Sequence, residues 1–202
     1  MVEISASQVK DLRTATGAGV LDCKKALEEC GGDLDKAIEA LRTKGLADAQ
    51  KKAGRSTGEG LIDSYIHLNG KIGVLLEVNC ETDFVARTDQ FQELAHDLCM
   101  QVAAADPTFV DRDEVPEEML EQERRILLEQ AKGEGKPEEI AQKIVEGRIE
   151  KFYSQICLVD QAFVKDPDRT VEEVIKEAIA TLGENIRVRR FARFAMGEDT
   201  DD

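Results

Sequence analysis

Along the first part of the chain apolar residues return at helical spacing, and paired glycines interrupt the pattern twice. Ser5 and Gln8 stand at capping-box spacing, Val9 and Leu12 follow on one face, and Gly17 and Gly19 stop the turn, which predicts one short helix. Val20, Cys23, Leu27 and Cys30 share a second face before Gly31 and Gly32. Asp33 then caps a third segment, in which Leu34, Ala37, Ile38 and Leu41 recur ahead of Gly45. Three short helices in about 45 residues bury little surface, so such a bundle suits a small docking module better than a catalytic scaffold. Leu46–Ala53 reads as a further turn or two of helix, and AGRSTGEG (53–60) as a polar, flexible linker.

Beyond a boundary near residue 55 the period becomes two. Ile62, Ser64, Ile66 and Leu68 lie on one face, Asn69-Gly70 marks a turn, and Ile72, Val74, Leu76, Val78 and Cys80 form a second alternating run, the pattern of a β-hairpin. ETDFVAR (81–87) follows, and Phe91, Leu94, Ala95, Leu98 and Val102 trace an amphipathic helix that ends at Asp106-Pro107. Pro116, Glu117 and Glu118 open a charged helix broken by Gly133-Glu134-Gly135. Pro137 opens another with Ala141, Val145, Ile149 and Phe152 on one face, so residues 116–155 are expected to form an antiparallel helical hairpin. Thr170 and Glu173 repeat the capping-box spacing ahead of Val171, Val174, Ile175, Ala178 and Leu182, with Gly183 as the stop. NIRVRRFARFAM (185–196) alternates again and is expected as a third strand, followed by a disordered acidic tail at 198–202. The predicted class is α+β: a helical N-terminal domain at 1–55, a linker, and a core domain at 56–197 built on a three-stranded antiparallel sheet.

Charge sharpens the division. Residues 1–55 carry 10 basic and 9 acidic side chains, residues 56–202 carry 17 and 33, and the chain totals −15. A phosphate backbone is repelled by that field, so nucleic-acid binding would need a local basic patch. No apolar run approaches the roughly 18 residues of a membrane span, and the N-terminus has neither a basic-then-apolar leader nor an Arg-rich transit pattern, so the expected location is cytoplasmic. Cys23, Cys30, Cys80, Cys99 and Cys157 are odd in number and form no CxxC, which points to buried thiols rather than to disulfides or zinc.

Candidate chemistry is sparse. The chain has no GxxxxGK[ST] phosphate loop, and His67 and His96 lack metal-ligand spacing, so no cofactor, no metal and no catalytic residue is expected. The histidines read as surface residues, with a hydrolase pairing Asp83 and His67 as a weak alternative. Arg187, Arg189 and Arg193 with Phe191 put cations and an aromatic on one strand face. They form either a solvated, salt-bridged face or the binding strand of an RNA-associated scaffold, and Arg190 on the other face marks a bulge or an edge. ETDFVA is the unusual segment, because an aromatic stands where a strand hands over to a helix. Either Thr82 or Asp83 caps the helix while Phe84 folds back into the core, or Phe84 projects from the turn as the anchor of a protein–protein contact.

Three long segments carry a resemblance to the bacterial elongation factor Ts family, the nucleotide exchange factors of elongation factor Tu. Leu12–Gly45 resembles the family's ubiquitin-associated-like N-terminal domain, VNCETDFVAR (78–87) its core signature, and KPEEIAQKIVEGRIEKFYSQICLVDQAFVKDP (136–167) its C-terminal signature. The resemblance implies a non-enzymatic factor that docks on the partner GTPase. Thr82, Asp83, Phe84 and Val85 would insert between the partner's helices and dislodge the magnesium ion that clamps GDP. It also implies a docking surface at Arg13 and Thr16, Gly17, Ala18, Gly19, Val20 and Leu21, the last two standing where many members carry methionines. From the residues alone Val20 and Leu21 fit a bundle core equally well. Longer members have a duplicated core and an extra C-terminal helix; short forms can pair, which makes a homodimer through the core domain, by the helical hairpin or a sheet edge, a further expectation.

Overall fold

The computed structural model describes residues 4–133 and 137–198. Its helices are α1 (Ala6–Thr16), α2 (Val20–Glu29), α3 (Leu34–Lys52), α4 (Asp83–Ala86), α5 (Asp89–Ala105), α6 (Glu117–Gly133), α7 (Glu138–Ile156) and α8 (Val171–Leu182). Its strands are β1 (Glu59–Ile66), β2 (Ile72–Cys80), β3 (Ala162–Phe163), β4 (Asp166–Thr170) and β5 (Arg187–Ala195). β1, β2 and β5 form one antiparallel sheet with β2 in the middle, and β3 with β4 form a separate hairpin. The mixed helix-and-sheet class and the three main strands are those the periodicity predicts. The residue contacts gather into two compact units: Met1–Leu61, Val78–Ala95 and Glu173–Arg187 make one, and Ile62–Glu77, His96–Glu172 and Val188–Asp202 the other.

In the first unit the predicted caps form. Ser5 and Gln8 close a reciprocal capping box, Gly17 ends α1 in the left-handed region at φ 66°, and Asp33 accepts from Lys36 N at the start of α3. Leu12, Cys23, Ala26, Leu27 and Ala37 build the small core that α1, α2 and α3 share. Contrary to the expected break before residue 46, α3 runs through Gly45 to Lys52 as one helix. Gly45 is tolerated there because a Cβ would come within 3.0 Å of Ala180 Cβ, so close packing on α8 replaces the helix-stop role of glycine. The segment read as a linker is anchored locally: the buried Asn185 side chain donates to the carbonyls of Ala53 and Arg55 at 3.2 and 2.8 Å.

In the second unit β1 departs from the simplest reading of its pattern. Its apolar stripe, Ile62 and Ile66, faces solvent, while Asp63 and Tyr65 face inward, where Asp63 accepts from His96 at 3.1 Å and Tyr65 lies edge-on to the same imidazole. On β2, Val74 and Leu76 are buried and Leu75 is exposed. The β1–β2 turn has Asn69 and Gly70 both at positive φ, 76° and 65°, as the Asn-Gly signal requires, but the strands close one step wider, with His67 N donating to Ile72 O.

α6 and α7 pack antiparallel through Leu127, Val145 and Ile149, with Gln130 accepting from Arg148. Residues 134–136 of their expected Gly-rich connection lie outside the described residues. The β3–β4 hairpin was not anticipated, since DPDRT has no strand-like alternation. It is held from outside its own ladder: Gln101, 1% exposed, accepts from Val164 N and donates to Gln161 and to Ala162 O. Glu198, first residue of the expected tail, accepts from Ala195 N and pairs with Arg193; residues 199–202 lie outside the described residues.

Cys23, Cys80, Cys99 and Cys157 are buried free thiols and Cys30 is half-buried. Burial pushes the Cys99 thiol up to about 12 and the Cys157 thiol up to about 11. A thiol whose pKa is raised on folding favours the folded state below its unfolded pKa of about 8.5, and that contribution is lost as pH rises toward the folded values. The native protein is therefore expected to take up iodoacetamide at Cys30 first at pH 8, with Cys99 and Cys157 modified only after denaturation; peptide mass spectrometry reads the order.

Candidate partner-docking site

The segment after β2 is a single helical turn whose two sides have opposite fates. Thr82, in extended conformation, caps it, its hydroxyl accepting from Val85 N at 3.4 Å, and the Thr88 hydroxyl closes it by donating to Val85 O at 2.7 Å. Val85 and Ala86 are buried. On a turn advancing about 100° per residue, anchoring those two sends Asp83 and Phe84 outward. Phe84 is 78% exposed, so it does not fold back into the core. Asp83 Oδ2 accepts from Arg87 at 2.8 Å one turn on, an exposed pair that contributes little to stability.

The second candidate surface is the α1–α2 turn in the same unit. Thr16 Oγ1 donates to Leu12 O at 2.8 Å and accepts from Ala18 N, Gly17 takes the left-handed conformation, and Gly19 serves as N-cap of α2. A Cβ on Gly17 would also meet Thr181 at 3.3 Å, so the turn leaves little room for a side chain. Cys23 and Leu27 point into the bundle, whereas Val20 is 51% and Leu21 81% exposed. The core alternative for these two residues is thereby corrected: the buried face of α2 begins at Cys23. Arg13 is exposed on the last turn of α1.

The other candidates lead elsewhere. Arg193 is nearly buried between Asp106 and Glu198, at 3.3 and 2.6 Å, so one of the three cations of the predicted strand face is neutralised from within; Arg190, on the other face, pairs with Glu77 at 2.8 Å. His67 Nδ1 lies 3.0 Å from the Tyr65 hydroxyl, and Asp83 is engaged by Arg87, giving each half of the imagined hydrolase pair its own local partner. Among the described residues there is no group of three or more His, Cys, Asp or Glu side chains that could hold a metal ion, and no helix is long and apolar enough to cross a membrane.

Sequence reasoning missed Glu184 and Asn185, which tie the turn at Thr82 to the rest of the first unit. Glu81 N, Thr82 N and the Thr82 hydroxyl all donate to Glu184, and Asn185 N donates to Glu81 at 2.7 Å. No local signal marks them, because their partners lie more than 100 positions earlier.

The site is thus two ordered turns that carry apolar side chains into solvent. A family profile described as elongation factor TS matches residues 44–198. The chain is 61% identical over 198 residues to elongation factor Ts of Desulforamulus reducens, covering 98% of this chain and 91% of that one. It is 58% identical over 195 residues to elongation factor Ts of Thermoanaerobacter sp. (96% of each) and 58% over 197 residues to that of Geobacter sulfurreducens (98% and 91%). These matches place the chain among the translation elongation factors. It belongs to the elongation factor Ts family.

Proposed function

We propose that the protein is a non-enzymatic guanine-nucleotide exchange factor that binds elongation factor Tu in its GDP-bound and nucleotide-free states and works in the cytoplasm. The helical region 1–55, of ubiquitin-associated-like type, docks on the GTPase through Arg13 and residues 16–21, while the core domain 56–197 presents the wedge Thr82–Val85. The observation that carries this reading is Phe84, held 78% exposed on a turn whose neighbours Val85 and Ala86 are buried. A large apolar ring kept in water by an ordered backbone is suited to entering a pocket on another protein, where its burial is worth about 2–3 kcal/mol. Asp83 and Phe84 would disturb the helices that position the magnesium ion on GDP, leaving the phosphates less neutralised so that the nucleotide departs. Weakening GDP by about 10⁴-fold needs some 5.5 kcal/mol, more than one phenyl supplies, so the surface at Val20 and Leu21 contributes. The test is the release rate of a fluorescent GDP analogue from purified elongation factor Tu with and without this protein: acceleration supports the reading, and an unchanged rate refutes it.

A second copy is the proposed occupant of the sheet's open face. Ile62, Ile66, Leu75 and Phe194 are each more than half exposed, and the ion pair in that part of the sheet, Arg190 with Glu77, is self-neutralised. In a chain of net charge −15, an apolar and locally neutral face is where two copies can approach. Leu75→Glu is expected to turn a dimer into a monomer in sedimentation equilibrium; a wild-type chain that is monomeric at tens of micromolar, roughly, refutes this.

A further inference from the structure

Three donors of the wedge turn converge on one carboxylate. Glu81 N and Thr82 N donate to Glu184 Oε2 at 3.1 and 3.0 Å, and the Thr82 hydroxyl donates to Oε1 at 2.7 Å. With its proton committed to Glu184, the Thr82 oxygen keeps a lone pair for Val85 N, the bond that caps α4 and fixes the direction in which Phe84 leaves the backbone. Glu184 reaches the turn because Gly183, at φ 81°, ends α8 in the left-handed region. Its neighbour Asn185, 4% exposed, locks the same place from the other side through Glu81 and the carbonyls of Ala53 and Arg55.

We propose that Glu184 is a positioning residue for nucleotide exchange: its carboxylate clamps the Thr82 turn so that Phe84 is presented before the partner arrives. This rests on the exchange reading above. A loose turn would let the ring lie back on the protein surface, and binding would then carry the entropic cost of ordering it again; the clamp removes that cost in advance. Only an acceptor with several lone pairs serves three donors. Glutamine has nearly the same shape, but its NH2 would either face an N–H, leaving that donor without an acceptor, or reverse the bond to the Thr82 hydroxyl, turning its proton away and competing with Val85 N for the oxygen.

The experiment titrates elongation factor Tu carrying a fluorescent GDP analogue with the wild-type chain, Glu184→Gln, Phe84→Ala and the double variant, alongside hydrogen exchange of peptides spanning 80–88 and 91–105. Glu184→Gln is expected to lower the maximal release rate about tenfold while the half-saturating concentration moves less than about threefold. Added to Phe84→Ala it is expected to cost nothing more, since there is no ring left to position. Exchange at 80–88 should quicken about tenfold or more with 91–105 unchanged, which a general loss of stability would not produce. A variant as fast as wild type, effects that multiply in the double variant, or unchanged exchange at 80–88 would each overturn the positioning role alone. A wild-type chain that accelerates nothing would overturn the exchange reading and this role with it.

Discussion

Phe84→Ala is expected to lower the maximal rate of GDP release from elongation factor Tu by about 30- to 150-fold, the kinetic equivalent of about 2–3 kcal/mol of apolar contact made with the partner. The same substitution is expected to shift the melting temperature by no more than about 2 °C, because the ring has little native contact to lose at 78% exposure. Cutting activity while sparing stability separates a binding side chain from a structural one. Stopped-flow fluorescence and thermal unfolding followed by circular dichroism measure the two. A variant with the wild-type release rate would remove Phe84 from the mechanism; a variant that melts far lower would show that the ring is part of the core.

Seven positions on, Phe91 is expected to behave in the opposite way. It is fully buried on the first turn of α5, with its backbone N–H donating to the Thr88 hydroxyl at 3.3 Å. Phe91→Ala removes the contacts of a buried ring and leaves a cavity, at a cost of about 3–5 kcal/mol. In a chain of this size that corresponds to a drop in melting temperature of roughly 10 °C or more. The fraction still folded at 20 °C should dock and exchange nucleotide as the wild type does. Normalising release rates to folded protein checks this, and a loss of exchange beyond the loss of fold would mean that the first turn of α5 shapes the wedge.

The contrast between the two phenylalanines shows how far the sequence could be read. Both follow acidic and polar residues near a helix start. Phe91 continues into Leu94, Ala95, Leu98 and Val102 at helical spacing and is thereby marked as core, all five being buried. Phe84 belongs to a helix of one turn, too short to have a periodicity, so its direction was open until the burial of Val85 and Ala86 decided it. Val20 and Leu21 were ambiguous for a related reason. They begin a helix, and only the packing of Cys23 and Leu27 against Leu12 and Ala37 shows that the inward stripe starts one turn later. Ile62 and Ile66 marked a strand correctly, but alternation alone does not say which face meets the interior; the inward engagement of Asp63 and Tyr65 does.

By itself the sequence determined what depends on neighbours within a few positions. The caps at Ser5 and Asp33, the Gly17 and Gly183 stops, the Asn69-Gly70 turn and the order of the long helices and the three main strands all follow from local backbone chemistry and period, and the long signature segments carry the family. Tertiary structure alone decided the unbroken course of α3 past Gly45, the β3–β4 hairpin on Gln101, and the carboxylate of Glu184 under the Thr82 turn. In each of these a side chain or a close approach more than 60 residues away supplies the hydrogen bond or the space, and no local pattern encodes a partner at that distance.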